Sequence, residues 1–180
     1  DTCILCGECV DKCFYGAREI IGKDYSVDSL VEEVLKDKSY YEESDGGVTF
    51  SGGEPLLQWK ELHELLTRLK EEHIHIALET AGYVKWDIID GLRSMIDLFF
   101  FDFKHIDSSL HKKYTGVPNE LIMENMKKLS SLHDNITSRI PVIPGVNEDE
   151  QTLKRMYGFL LEETNIRRVE LLPYHRLGMS

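Results

Sequence analysis

Apolar positions along the chain switch repeatedly between the two spacings that separate helix from strand. Val27, Leu30, Val31, Val34 and Leu35 fall at i, i+3, i+4, i+7 and i+8, so they share one helical face, and Ser26 just ahead can cap it. A polar linker, Tyr41 to Asp45, leads to a short apolar strand, Val48-Thr49-Phe50. A helix beginning near Pro55 carries Leu62, Leu65, Leu66 and Leu69 on one stripe. Ile74 to Leu78 then reads as a buried strand running into Glu79-Thr80-Ala81-Gly82. The alternation continues with a helix around Trp86 to Ser94, a strand from Leu98 to Phe103 and a helix from about Glu120 to Leu132. A strand near Ile136 to Val142 follows, then a helix with Leu153, Met156, Tyr157, Leu160 and Leu161 in register, and a last strand, Val169 to Leu172. Short strands separated by amphipathic helices imply parallel pairing with right-handed crossovers. The expected fold is therefore α/β, a parallel sheet or barrel whose ligands lie beyond the C-terminal strand ends.

At those ends the sequence places its polar residues: Ser51 to Glu54, then Glu79 and Thr80, Asp102 and Lys104, Arg139, and finally Tyr174 and His175. The Gly52-Gly53 pair lets a ligand approach bare backbone, and Glu54 adds a carboxylate. Carbonyls and a carboxylate are all acceptors, which suits a ligand carrying an ammonium group. Each residue also has a plain structural reading. Ser51 to Glu54 can be a tight strand-to-helix turn with a solvated Glu, Asp102 and Lys104 can form an ion pair, Arg139 can cover a carboxylate, and His175 can sit in a loop.

A chain of 180 residues, 42% hydrophobic, can bury one sizeable core. Its 32 acidic and 21 basic residues give a net charge of −11, which disfavours a nucleic-acid partner because cations drive counterion release from phosphates. No apolar run reaches the roughly 20 residues of a membrane span, so no membrane partner is expected and the expected location is cytoplasmic. All 4 cysteines crowd the N-terminus as Cys3, Cys6, Cys9 and Cys13, whereas a disulfide framework would spread along the chain. Their C-x2-C-x2-C-x3-C spacing is that of ferredoxin iron–sulfur ligands; zinc sites more usually pair two C-x2-C units across a longer loop. Phe14 stands where the ferredoxin run usually has proline.

With these cysteines followed in order by GGVTFSGGEP, ETAGY, FFFDFK, RIPVIPG and ELLPYH, the chain resembles the glycyl radical enzyme activating enzymes of the radical SAM superfamily, the relatives of pyruvate formate-lyase activating enzyme. The resemblance covers essentially the whole sequence. It implies a partial (β/α)6 TIM-like barrel over residues 26–180, preceded by a partial ferredoxin-like [4Fe–4S] insert over residues 1–25. It further implies reductive cleavage of S-adenosylmethionine to methionine and a 5′-deoxyadenosyl radical that removes hydrogen from a glycine of a partner glycyl radical enzyme. A flavodoxin or ferredoxin would supply the electron. By this resemblance Gly52, Gly53 and Glu54 receive the methionyl amino group, Lys104 of the Asp102-x-Lys104 element neutralises the methionyl carboxylate, and Arg139 and His175 line the same pocket. Glu79, Thr80 and Asp102 match a small cation site, although Glu79 stands where aspartate is expected.

One departure bears on activity. The superfamily's C-x3-C-x2-C, which leaves one iron of the cluster open to the cofactor, is missing: Cys9 and Cys13 have the x3 spacing, but the next required position is Gly16. The chain thus reads as a fragment that begins within its insert and lacks the first barrel strand. It is expected to be inactive alone, to bind S-adenosylmethionine weakly, and to self-associate through the exposed edge of the Val48 to Ser51 strand. Two other readings stand beside this one: a ferredoxin-like electron-transfer or binding module, and a radical enzyme acting on a small molecule.

Overall fold

A computed structural model of the chain describes residues 6–20 and 22–174. Its elements are α1 (Glu8–Asp11), α2 (Val27–Leu35), α3 (Lys38–Ser44), β1 (Gly47–Phe50), a 3-10 turn (Pro55–Gln58), α4 (Trp59–Glu71), β2 (His75–Thr80), α5 (Trp86–Leu92), a second 3-10 turn (Arg93–Met95), β3 (Leu98–Asp102), α6 (Ser108–Thr115), α7 (Glu120–Leu132), β4 (Ile136–Val142), α8 (Glu150–Glu163) and β5 (Arg168–Pro173). Ser26 caps α2 as expected, its hydroxyl accepting the Ser29 N–H at 3.1 Å.

The described strands form one sheet in the order β1-β2-β3-β4-β5, with every pair parallel. A doubly wound sheet would reverse direction partway along; an order that never reverses makes each right-handed crossover deliver its helix to the same side. That is barrel topology, and five parallel strands make it a partial barrel. The helix side is the core. Phe50, Leu78, Phe99 and Ile136 stand in register there, covered by Leu62, Leu66 and Leu69 of α4, Ile89 and Leu92 of α5, Met126 and Leu129 of α7, and Met156 and Leu160 of α8. Gly82 shows how tight this side is. Its φ is 69°, and a Cβ there would collide with the Phe101 ring.

Because side chains alternate along a strand, the opposite face carries the other residues of each strand. Glu79, Phe100, Thr137 and Arg168 form one row, and Asp102, Arg139 and Glu170 form the next, nearer the C-terminal ends. β1 pairs only with β2 among the described strands, so its far edge is open, as the sequence led us to expect.

The N-terminal end of the sheet is tied by Asp97. Its N–H donates to Ile76 O at 2.8 Å, and its carboxylate accepts the Ile76 N–H and the Lys70 ammonium, each at 2.7 Å. Burial alone would raise the Asp97 carboxyl, but the Lys70 ammonium and the Ile76 N–H outweigh it and hold the group below the usual carboxylate range.

Two segments differ from expectation. Most of the polar stretch Tyr41 to Asp45, read as a linker, is the end of α3, which stops where Asp45 enters the left-handed region at φ 52°. α6 was not foreseen; Asp107 caps it by accepting the Leu110 N–H at 3.0 Å, and its one buried residue is His111. Among the described residues before α2 the one helical element is the single turn α1, and Phe14 and Tyr15 are almost fully exposed. Among the described residues no helix is long and apolar enough to cross a membrane.

Candidate functional site

Beyond the C-terminal end of β1 the chain turns through Gly52, with φ 115°, and a Cβ built on either Gly52 or Gly53 would meet nothing within 4 Å. Both glycines are exposed, so their peptide groups are accessible to a ligand from outside. Glu54 behaves differently from the expectation of a free carboxylate. One oxygen accepts the Thr80 hydroxyl at 2.8 Å and the Leu56 N–H at 3.2 Å, and the other accepts the Ala81 N–H at 2.9 Å. With about four acceptor sites on a carboxylate, Glu54 is largely spent on fastening the glycine turn to the end of β2.

On the open face, the charged residues make one connected row. Ser51 donates to Glu79 at 2.7 Å, Arg139 reaches Glu79 at 3.1 Å, and Arg139 Nε reaches Glu170 at 2.9 Å. The guanidinium lies 3.6 Å from the centre of the Phe100 ring, which supports its flat face. Asp102 and Lys104 pair at 2.7 Å, with the lysine side chain 36% exposed. The plain readings left open by the sequence are therefore realised: Arg139 covers carboxylates, and Asp102 and Lys104 form an ion pair. Neither excludes ligand binding. An ammonium has three donors, and the Lys104 group meets one carboxylate, so it can also meet an anion.

The structure brings Ser51, Glu79, Asp102, Lys104 and Arg139 to one rim and one face. The side chains expected at a small cation site, Glu79, Thr80 and Asp102, do not all lie on that face. Strand alternation puts Thr80 on the helix side, where its hydroxyl serves Glu54, while Glu79 is held by Ser51 and Arg139. Among the described residues no three His, Cys, Asp or Glu side chains are placed to hold a metal ion. Cys6, Cys9 and Cys13 are free thiols, and Cys13 Sγ accepts the Ala17 N–H at 3.2 Å. They are the right donors for an iron–sulfur cluster, but among the described residues these three are not grouped closely enough to hold one. Cys3 and His175 lie outside the described residues.

Sequence reasoning passed over Glu170 and Phe100. A lone carboxylate between Val169 and Leu171 was a usable sign for Glu170. Phe100 lies within the run FFFDF, where the usable sign was its alternation with Asp102 and Lys104, which puts its ring on their face while Phe99 and Phe101 are buried on the other.

Comparison with known proteins identifies the family to which this fold belongs. Residues 4–156 match the Radical SAM superfamily, and the chain belongs to that superfamily. Its relatives include activating enzymes. The chain is 42% identical over 175 residues to the 4-hydroxyphenylacetate decarboxylase activating enzyme of Clostridioides difficile strain 630, covering 96% of this chain and 55% of that protein. It is 47% identical over 165 residues to the trans-4-hydroxy-L-proline dehydratase activating enzyme of Clostridioides difficile, covering 90% of this chain and 54% of that protein. Among solved structures, a domain of the pyruvate-formate lyase-activating enzyme from Bacteroides vulgatus ATCC 8482 superposes with a TM-score of 0.67 at 37% identity, covering 73% of this chain and 82% of that one. The chain spans about half the length of these two curated relatives.

Proposed function

We propose that this chain provides the cofactor-binding barrel of an activating enzyme that installs a radical on one glycine of a partner enzyme. In this reading residues 26–180 are the barrel and residues 1–25 a ferredoxin-like insert whose Cys3, Cys6, Cys9 and Cys13 hold a [4Fe–4S] cluster. The observation that carries the proposal is the convergence, at one rim of a parallel sheet, of the accessible Gly52-Gly53 turn, Lys104 and Arg139.

The open glycine turn fits the methionyl part of S-adenosylmethionine, and the partly exposed Lys104 ammonium fits its carboxylate. When bound and reduced, that cofactor supplies a carbon radical able to take hydrogen from a glycine. The chain's own residues do the holding. Carbonyls of Gly52 and Gly53 accept from the methionyl ammonium, and Lys104 donates to the carboxylate while Asp102 restrains it. Arg139, braced by Glu79, Glu170 and Phe100, presents a fixed positive charge beside them. Glu54 acts by locking the turn to β2 rather than by binding through a free carboxylate. His175, which lies outside the described residues, is assigned to the same cofactor by the family resemblance alone. The partner is a glycyl radical enzyme, the electron comes from a flavodoxin or ferredoxin, and the protein works in the cytoplasm.

The test is electron paramagnetic resonance. Anaerobically reconstituted full-length protein, mixed with a purified glycyl radical enzyme, S-adenosylmethionine and a reductant, should produce a glycyl radical signal that depends on all three. Cofactor cleavage with no radical on any tested partner, together with turnover of a small molecule, would favour the small-molecule reading. The 180-residue chain, which has no C-x3-C-x2-C, should bind the cofactor only weakly. Submicromolar affinity by calorimetry would contradict that.

A further inference from the structure

Lys104 lies past the end of the strand that carries it. The β3–β4 ladder stops at Asp102 opposite Arg139, and the last main-chain bond is Phe103 N–H to Arg139 O at 2.8 Å. Beyond that point the sheet cannot hold the backbone of Lys104. The Asn147 side chain does so instead. It is wholly buried, and its amide nitrogen donates to Lys104 O at 2.9 Å and to Pro141 O at 2.8 Å while its oxygen accepts the Ile143 N–H at 2.7 Å. Its two N–H donors and its carbonyl are thus all engaged. Asn119, also buried, continues the clamp by donating to His105 O at 2.9 Å and Ile106 O at 3.0 Å.

We infer that Asn147 is a positioning residue for Lys104. It replaces the missing ladder bond and fixes the lysine backbone relative to Arg139, so the ammonium starts from a set origin when it meets the cofactor carboxylate. A flexible four-carbon side chain can aim a charge only if its root is held, and an error of about 1 Å in such a group can cost on the order of a hundredfold. Aspartate has the same shape as asparagine but donates at most once, when protonated, and not at all when ionised, so Asn147→Asp removes at least one of the two bonds to Lys104 and Pro141 and turns an acceptor toward a carbonyl.

This inference rests on the reading that Lys104 binds the carboxylate, and the experiment separates the two. Calorimetry on full-length reconstituted protein compares S-adenosylmethionine with decarboxylated S-adenosylmethionine, which lacks only the carboxylate. In the native protein the ratio of the two affinities measures carboxylate recognition. Asn147→Asp and Lys104→Met should each lower that ratio by about tenfold or more. If Asn147→Asp weakens both ligands equally, or neither, Asn147 is merely structural and the inference falls. If Lys104→Met leaves the ratio unchanged, the reading of Lys104 itself fails. Should the aspartate variant not fold, Asn147→Ser, which keeps one donor, takes its place with the same expected ratio. Asn135→Asp is the control. Asn135 donates to Asp97 O at the other end of the sheet, and its loss should leave the ratio within about twofold.

Discussion

The two ends of the sheet use charge in opposite ways. At the N-terminal end, Asp97 spends its N–H on Ile76, its carbonyl on Asn135 and its carboxylate on Lys70 and Ile76, so every polar group it carries is taken up by the chain even though the Asp97–Lys70 pair is one-third exposed. At the C-terminal end, Lys104 and Arg139 are paired yet remain partly exposed on an open face, beside a glycine turn with clear space around it. Satisfied polar groups stabilise a fold, whereas accessible ones held at fixed positions can bind a ligand. In barrels the first kind gathers at the bottom and the second at the top. One end of this sheet is built for stability and the other for recognition, although the same kinds of residue appear at both.

The largest expected effect limits that division to the open face, because it falls at the C-terminal end but on the helix side of the sheet. Gly82→Ala forces a Cβ at positive φ into the Phe101 ring and should lower stability by about 3 kcal/mol, read by urea denaturation. Asp97→Ala comes next. It leaves the Ile76 N–H and the Lys70 ammonium without their partner, and with the pair one-third exposed the loss should be about 2 kcal/mol. The acid side of the stability curve should change as well. Because the folded carboxyl of Asp97 titrates below its unfolded value, its contribution is complete above about pH 4 and fades as pH falls through the folded value. Asp97→Asn should remove that part of the slope and leave stability near neutral pH reduced but flat. At the other end, Lys104→Met should shift stability by no more than about 0.5 kcal/mol while weakening cofactor binding in the full-length protein. The smallest effect belongs to Ser51→Ala, which removes one exposed hydrogen bond to Glu79 and should cost less than about 0.5 kcal/mol. A large stability loss from Lys104→Met, or none from Asp97→Ala, would erase the distinction between the ends.

The strands and the long helices were legible because burial leaves a period in the sequence. Leu62, Leu65, Leu66 and Leu69 announce one face of α4, and the strand ends then follow from where each apolar run stops. α3 and α6 were not legible for the same reason. Neither buries an apolar side chain deeply, so the sequence of each carries little period to detect. The candidate site was legible as a set of strand ends but not as a set of contacts. That Glu54 turns to Thr80 and Ala81, and that Asn147 reaches Lys104 43 positions away, are long-range hydrogen bonds, which leave no periodic trace. Thr80 was grouped with Glu79 and Asp102 through the family resemblance, yet alternation along β2 sends the Glu79 and Thr80 side chains to opposite faces.

The most direct measurement is the crystal structure of the full-length, anaerobically prepared protein with S-adenosylmethionine bound. The account predicts the methionyl group at the C-terminal rim, its carboxylate within hydrogen-bonding reach of Lys104 Nζ and its ammonium at the Gly52-Gly53 turn. A cofactor seated at the Asp97 end or among the helices, out of reach of Lys104, would contradict it.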